Sequence, residues 1–261
     1  WDEKDGDVFW NTALGKGRPG WHIECSAMSM ATLGEQIDIH TGGVDLIFPH
    51  HENEIAQSEG ATGKPFVKYW MHNEWVLVDQ KKMSKSEKNF YTLRDLVDKS
   101  IDPIVYRFWL LMANYRTRVN FVWEALEGAE TALKRLYNLC LELGSNVGKV
   151  NSEYQKKFKE FIEDDLDTPR ALTVLWDVMK EENLSSADKK ATVLDFDKVF
   201  GLGFADLKEE KIPEEVQKLA KEREQTRKNK DFSKSDELRK KINSLGYEVK
   251  DTAEGQKVSK L

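Results

Sequence analysis

Cysteine is scarce in this chain of 261 residues, which contains only Cys25 and Cys140, more than a hundred positions apart. Two distant cysteines do not form the framework of a disulfide-rich secreted domain, so we expect a reducing, cytoplasmic location. Long apolar runs are missing as well, since none approaches the roughly 18 residues that a membrane helix requires. We therefore expect no membrane partner.

The beginning of the chain lacks two familiar features. It has no starting Met, and residues 1–5 are mostly acidic, whereas a secretory signal begins with basic residues and continues with an apolar stretch. The sequence enters abruptly, as if in the middle of a domain. We therefore expect that an N-terminal portion is missing.

The residue pattern divides the chain into three regions. Residues 1–118 mix short strand-like runs with helical segments, which favours an α/β domain. Residues 119–204 place apolar side chains at helical spacing, for example Leu126, Ala129, Leu133 and Leu136, and predict an all-helical bundle. Residues 205–261 read as two charged helices and a short strand, which predicts a small mixed domain.

All five histidines occur within the first 72 residues, at His22, His40, His50, His51 and His72. Cys25 lies among them, and the four-residue spacing of His50 and Glu54 places both on one face of a helix. Imidazole, thiolate and carboxylate are all zinc ligands. The spacing alone leaves two alternatives open, a zinc site and a cluster of histidines that hydrogen-bond to one another.

A lysine-rich loop, Lys-Lys-Met-Ser-Lys-Ser at residues 81–86, follows a predicted strand and precedes a predicted helix at Leu93. The flexible side chains of Lys82 and Lys85 could close over a triphosphate and stabilise the charge on a departing pyrophosphate. Most short strings of lysine and serine are solvated loops instead. The position after a strand and the histidine cluster favours the phosphate-binding alternative.

Four segments together resemble the cysteinyl-tRNA synthetases, which are class I aminoacyl-tRNA synthetases: residues 20–28, 45–58, 70–73 and 82–86. The resemblance implies a fold class, namely the C-terminal part of a Rossmann-type α/β catalytic domain, a helical bundle and a small mixed α/β anticodon-binding domain. It also implies a monomeric ligase that activates L-cysteine with ATP, accompanied by Mg²⁺, and transfers it to tRNA(Cys).

The same resemblance implies one Zn²⁺ ion held by Cys25, His50 and Glu54, with another cysteine ligand in the missing portion and the substrate thiolate bound to the metal. A thiophilic ion would select sulfur over the hydroxyl of serine. The remaining implied roles are substrate binding by Trp21, His22, His51 and His72, catalysis by His40, Lys82 and Lys85, and ATP binding by Lys85. Core packing is the alternative role for Trp21.

In the tail, the resemblance implies that Arg227, Asp236 and Asp251 hydrogen-bond to anticodon bases. Arginine donors and aspartate acceptors suit the edges of unstacked bases, and Phe232 could stack on one of them. The alternatives are a surface charge on a helix for Asp236 and an ordinary turn residue for Asp251.

Two departures from the family pattern affect the expected activity. Glu87, Lys88 and Asn89 follow the lysine loop where the family has Leu-Gly-Asn, and the His-Ile-Gly-His nucleotide signature is absent. We therefore expect that this chain alone does not adenylate cysteine. Two other functions remain open, a cysteine–sugar-amine ligase of the same fold and a non-catalytic, zinc-bearing tRNA-binding fragment.

Overall fold

The computed structural model describes residues 2, 4, 6–86, 89–208, 213–252 and 255–260. Its contacts divide the chain into two compact units, Trp1–Asp206 and Leu207–Leu261. The α/β and bundle regions therefore share the first unit, and the second unit corresponds to the predicted small domain. The finer division into 1–118, 119–204 and 205–261 stays a prediction.

The first part of the first unit is a βαβ arrangement preceded by a hairpin and a helix. Its elements are β1 (Trp10–Thr12), β2 (Gly15–Gly17), α1 (Trp21–Leu33), β3 (Ile37–Gly43), α2 (Glu52–Thr62) and β4 (Val67–Asn73). Strands β3 and β4 are parallel, with His40 opposite Trp70 and Gly42 opposite His72. A parallel pair needs a crossover, which α2 supplies. As a result, His40 and His72 lie on one face of the pair.

An irregular turn precedes α2. The sequence predicts a helix that starts at Pro49, but the regular helix begins at Glu52, after a helical turn over Ile47–His51. Phe48 has φ −130° and ψ 131°, which is extended backbone, because a residue before proline avoids the α region. This turn buries both His50 and His51.

The lysine loop belongs to a small three-stranded sheet with the order β6-β5-β7. The elements of this region are β5 (Val76–Val78), β6 (Lys81–Lys82), α3 (Leu93–Asp98), α4 (Pro103–Leu111) and β7 (Val119–Phe121). Thr92 and Asp95 form a capping box at the start of α3, and Asp102 caps α4 with Pro103 at its first position. The predicted strand before the loop and the two helices after it are confirmed.

Four helices complete the first unit: α5 (Trp123–Glu142), α6 (Ser152–Glu163), α7 (Thr168–Lys180) and α8 (Ser186–Phe200). The predicted apolar face of α5 is buried at all four positions named from the sequence. Phe158 and Phe196 stack at 4.1 Å between ring centroids and join α6 to α8. Within the part of the chain that the structure describes, no helix is long and apolar enough to cross a bilayer.

The second unit packs two helices against a hairpin. Its elements are α9 (Glu214–Lys228), α10 (Phe232–Ser244), β8 (Tyr247–Thr252) and β9 (Gly255–Lys260), with β8 and β9 antiparallel. Apolar side chains from both helices and β8 form its core, namely Val216, Leu219, Ala220, Leu238, Ile242 and Val249. The two helices and β8 are predicted by the sequence pattern, whereas β9 is not.

Candidate functional site

Cys25, His50 and Glu54 converge in the structure. One ligand atom from each of them lies within 4.8 Å of the other two. The three residues come from different elements: Cys25 from α1, His50 from the irregular turn and Glu54 from the first turn of α2. Because α1 packs against α2, residues that are 25 or more positions apart reach one point. The three residues chosen from the sequence therefore meet.

The bonding of Glu54 tests whether this group suits a metal ion. Its side chain is completely buried, and its Oε1 lies 2.8 Å from His50 Nε2. Nevertheless, Oε1 makes no hydrogen bond of acceptable geometry with any residue that the structure describes. A buried carboxylate oxygen without a hydrogen bond is costly and rare in proteins. Thiol, imidazole and carboxylate donors that crowd together in this way fit a transition-metal ion.

A second set of three residues, His40, His51 and Glu54, also brings ligand atoms within 4.8 Å of one another. Within it, His40 Nε2 donates a hydrogen bond to Glu54 Oε2 at 2.8 Å. That nitrogen is therefore already engaged, and the set contains no thiol. The set with Cys25 is the better candidate for a thiophilic metal, and His40 orients its carboxylate.

The other histidines extend the same cluster. His22 Nδ1 lies 2.8 Å from His50 Nδ1, and His51 Nδ1 lies 2.8 Å from His72 Nε2. Each of these distances is a hydrogen bond in which one ring donates and the other accepts. A hydrogen bond to the second nitrogen of a ligating imidazole determines its tautomer and orientation. All five histidines thus belong to one cluster, in which three hydrogen-bonded pairs, His22–His50, His40–Glu54 and His51–His72, are joined by contacts of the His51 ring with the rings of His40 and His50.

Burial determines the protonation of two of these rings. Burial, followed by the nearby His40, His72 and His50, lowers the pKa of His51 to about 4. The pKa of His72 is also lowered, first by burial, then by the charge of Arg116 and by His40. His51 and His72 are therefore neutral at physiological pH, and each offers one donor and one acceptor nitrogen.

The thiol of Cys25 is affected in the opposite direction. Burial first, then the charges of Glu54 and Glu24, raise its pKa above the usual value. Negative neighbours disfavour the thiolate, so the thiol remains protonated until a cation balances their charge. Occupancy of this site by a metal ion would therefore release a proton.

Close approach to the histidines requires glycine at Gly42. A Cβ atom built there would lie 2.6 Å from His51 Cε1 and 3.0 Å from Leu46 Cδ1. A non-bonded contact of 2.6 Å is too short for a Cβ atom, so any larger residue would displace the ring of His51. Gly42 therefore acts as part of the site. The sequence pattern predicts a turn at residues 41–43, but the structure places these residues in β3.

Trp21 lies beside the cluster and not in the core. Its ring centroid is 4.4 Å from that of His50, and its side chain is 61% exposed. Core packing was the alternative role, and an exposed indole does not fit it. The position beside His50 suits a residue that covers a bound amino acid.

The lysine loop shows internal order. Asn89 Oδ1 accepts a hydrogen bond from the Ser84 amide, and Asn89 Nδ2 donates to the Lys82 carbonyl. Lys82 Nζ lies 5.4 Å from the ring centroid of Trp75, and Lys85 Nζ lies 5.6 Å from that of Phe90. Both lysines are exposed and available to a polyanion. Glu87 and Lys88, which differ from the family pattern, lie outside the residues that the structure describes.

Trp75 links the lysine loop to the segment before the irregular turn. Its Nε1 donates to Asp45 Oδ1 at 3.2 Å, and the ring faces Lys82. The sequence analysis treated Trp75 only as a strand residue. No local sequence pattern predicts the contact of Trp75 with Asp45, because the two residues are 30 positions apart in the chain.

In the second unit, the structure brings together two of the four candidate tRNA contacts, Arg227 and Asp251. Arg227 Nη1 lies 3.3 Å from Asp251 Oδ2, and both side chains are partly exposed. Asp236 on α10 is exposed and acts electrostatically on Arg223. Phe232, at the start of α10, is 59% exposed. The sequence analysis did not select Arg223, although it lies one helical turn before Arg227.

Comparisons with known proteins agree with this arrangement. A family model described as "tRNA synthetases class I (C) catalytic domain" matches residues 1–131. A second, described as "Cysteinyl-tRNA ligase anticodon binding domain", matches residues 209–258. Among solved structures, the LeuRS of Agrobacterium radiobacter K84, in a ternary complex with tRNA and LeuAMS, has a TM-score of 0.56 at 12% identity. That match covers 75% of this chain and 32% of LeuRS, and it supports the fold alone.

Curated relatives are similar along nearly the whole chain. The Cysteine–tRNA ligase of Protochlamydia amoebophila is 43% identical and matches 99% of this chain and 58% of its own length. Those of Caldicellulosiruptor saccharolyticus and Methanosarcina acetivorans are 43% and 44% identical, matching 60% and 59% of their lengths. The chain thus spans 58–60% of these three relatives. On the evidence of both family models and these relatives, the chain belongs to the cysteinyl-tRNA synthetases, a family of class I tRNA synthetases.

Proposed function

We propose that the chain carries the amino-acid pocket, the lysine loop and the anticodon-binding domain of a cysteine–tRNA ligase. That enzyme would use ATP to convert L-cysteine to cysteinyl-adenylate and would then transfer the cysteine to tRNA(Cys). The observation that carries the proposal is the convergence of Cys25, His50 and Glu54, with ligand atoms within 4.8 Å. The names of the relatives support it.

Cys25, His50 and Glu54 would hold one zinc ion. When bound, zinc supplies a strong preference for a sulfur ligand, which would distinguish cysteine from serine by more than a difference in pocket size could. His40 would keep Glu54 in its ligating orientation through the 2.8 Å hydrogen bond, and His22 would do the same for His50. Glu54 Oε1, which has no hydrogen bond among the described residues, lies next to His50 and would be the oxygen that binds the zinc ion.

The neutral histidines and Trp21 would bind the amino acid itself. His51 and His72 form one hydrogen-bonded pair on the face of β3 and β4 that carries His40, and their low pKa keeps them uncharged. Neutral rings can donate to a carboxylate without forming a fixed ion pair that would hold it back from reaction. Trp21, beside His50, would cover the substrate and exclude water.

Lys85 and Lys82 would bind ATP, which enters with Mg²⁺. Their charge would stabilise the negative charge that develops on pyrophosphate as the carboxylate of cysteine attacks the α-phosphate. Catalysis of this kind depends on positioning and charge and needs no protein nucleophile. The contacts of Asn89 with Ser84 and Lys82 would define the loop conformation from which closure begins.

Arg227, Asp236, Asp251 and Phe232 would contact the anticodon. The match to an anticodon-binding domain over residues 209–258 supports transfer to tRNA over the alternative transfer to a sugar amine. The non-catalytic, zinc-bearing alternative predicts tRNA binding with a steep salt dependence but no formation of cysteinyl-adenylate, even with the N-terminal half restored. We also propose that the chain is monomeric and cytoplasmic.

Metal analysis of purified protein tests the proposal. We expect about one zinc per chain in the unaltered protein, and we expect Cys25→Ser and His50→Ala to lose most of it because each removes a ligand. Cys140→Ala is the matched control, since it removes the other thiol, which is buried in α5. Stoichiometric zinc in both ligand variants would rule out the assignment, and zinc loss in the control would point to unfolding.

A further inference from the structure

A buried arginine lies beneath the candidate anticodon surface. Arg223 on α9 has a fully buried side chain, whereas Arg227, one turn later, is 42% exposed. The two guanidinium groups share one partner, the carboxylate of Asp251 on β8. Asp251 therefore contacts two arginines, the buried Arg223 and the partly exposed Arg227.

The contact between Arg223 and Asp251 is bidentate. Nη1 donates to Asp251 Oδ1 at 2.8 Å, and Nη2 donates to Asp251 Oδ2 at 2.9 Å. A paired fork of this kind determines the plane of the carboxylate as well as its distance. Because Asp251 Oδ2 also lies 3.3 Å from Arg227 Nη1, the plane set by Arg223 decides where the exposed guanidinium is held.

A second contact connects the same arginine to the neighbouring strand. Arg223 Nη1 also donates to Gln256 Oε1 at 3.1 Å, and Gln256 Nε2 donates to the carbonyl of Ala220 on α9. Asp251 and Gln256 are directly opposite each other in the β8–β9 hairpin. Arg223 thus joins both strands of the hairpin to the helix that carries Arg227.

We propose that Arg223 is a positioning residue of the anticodon surface, which holds Asp251, and through it Arg227, in the orientation for base contact. The inference rests on the proposed function, because it needs Asp251 and Arg227 to contact tRNA. Arg223 itself touches no base, since its side chain is fully buried. Preorganised groups bind more tightly because their ordering cost is met before the ligand arrives.

Folding alone does not require a charged residue at this position. The core of the second unit consists of apolar side chains from α9, α10 and β8. A buried ion pair often contributes no more to stability than apolar residues of similar size, and Arg223 Nε lacks a hydrogen bond to any described residue. A long apolar side chain such as methionine can therefore replace Arg223 and fill its space. The carboxylate of Asp251, whose side chain is 37% exposed, would then be hydrated.

The test measures binding of a tRNA(Cys) transcript to the full chain and to five variants: Arg223→Met, Arg223→Lys, Asp251→Ala, Arg227→Ala and Arg223→Met/Asp251→Ala. We expect Arg223→Met to weaken binding at least about tenfold and Arg223→Lys to weaken it less, since lysine keeps the charge but loses the fork. The double variant should bind no more weakly than Asp251→Ala alone, because Arg223 acts through Asp251.

Two further measurements separate positioning from folding. The preference for the cognate over an anticodon-substituted transcript should fall in Arg223→Met, whereas partial unfolding would lower both affinities equally. Lys218→Met is the matched control, since it removes an exposed charge from the same helix, and it should keep that preference. If Arg223→Met fails to fold, Arg223→Lys decides, because a folded lysine variant with unaltered affinity and preference overturns the inference.

Failure of the inference and failure of the proposed function give different results. If Asp251→Ala and Arg227→Ala weaken binding but Arg223→Met does not, the positioning role is wrong and the anticodon contacts stand. Additive losses in the double variant also contradict it. If neither Asp251→Ala nor Arg227→Ala changes affinity, the proposed anticodon contacts themselves are wrong.

Discussion

The histidine cluster of the first unit and the arginine–aspartate cluster of the second unit satisfy their buried polar groups in different ways. In the first, Glu54 has one oxygen bonded to His40 and one oxygen without a hydrogen bond among the described residues. In the second, both oxygens of Asp251 accept hydrogen bonds from Arg223. The carboxylate of Glu54 thus has one oxygen without a hydrogen bond among the described residues, whereas both oxygens of Asp251 have one.

This difference distinguishes a candidate metal site, where one carboxylate oxygen lacks a hydrogen bond among the described residues, from a carboxylate whose two oxygens both accept hydrogen bonds. A buried acceptor next to a thiol and an imidazole becomes stable when a cation joins them. An aspartate held between two arginines is already neutralised, so its geometry is established before a partner arrives. We expect ligand-dependent stability in the first unit and ligand-independent order in the second.

The largest expected effect is the stabilisation of the first unit by zinc. Zinc at 100 times its dissociation constant should stabilise the first unit by about 2.7 kcal/mol, because it binds the folded state. Hydrogen exchange should slow around Cys25, His50 and Glu54, and it should not change in α9 and α10. Cys25→Ser should abolish the effect. Equal protection of both units by zinc would contradict the comparison.

An intermediate effect is expected at Gly42. Gly42→Ala should destabilise the first unit by about 1–3 kcal/mol, because the added Cβ would overlap His51. Gly60→Ala is the matched control: its Cβ would enter open space within α2, so it should stabilise the unit by about 0.5–1 kcal/mol. Urea denaturation measures both. Equal effects of the two substitutions would show that His51 moves freely.

The smallest expected effect is the loss of stability of the second unit at low pH. Arg223 lowers the pKa of Asp251 in the folded protein below its unfolded value of about 3.9. The ion pair therefore contributes stability above that value and loses it as the pH falls through the lower, folded pKa. Asp251→Asn should remove this part of the acid sensitivity, because an amide does not titrate in this pH range.

Hydrogen exchange of α9 and α10 at neutral and acid pH measures that change. Glu237→Gln is the control, because it removes an exposed carboxylate of α10 and leaves Asp251 in place. If the second unit loses the same stability in acid in the unaltered protein and in the Asp251→Asn variant, the arginine fork does not hold the carboxylate in the folded state.

The sequence was sufficient to predict most of the helices. The α5 face with Leu126 and Leu133 is buried as predicted, because helical periodicity is a local property. Cys25, His50 and Glu54 were named as zinc ligands by the resemblance to the family, and that role stays a prediction, although the structure brings the three residues together. By contrast, α1 was not predicted, since its apolar residues are not restricted to one face.

The sequence by itself determined most of the helical regions, through local periodicity, and the family resemblance, which in turn named the candidate ligands. Only the tertiary structure decided that Glu54 Oε1 would make no hydrogen bond with the described residues, that Gly42 would lie against His51 and that a buried Arg223 would hold Asp251. The physical reason is distance along the chain. Contacts between residues far apart in the sequence depend on how α1, α2, α9 and the strands pack, which no local pattern of residues encodes.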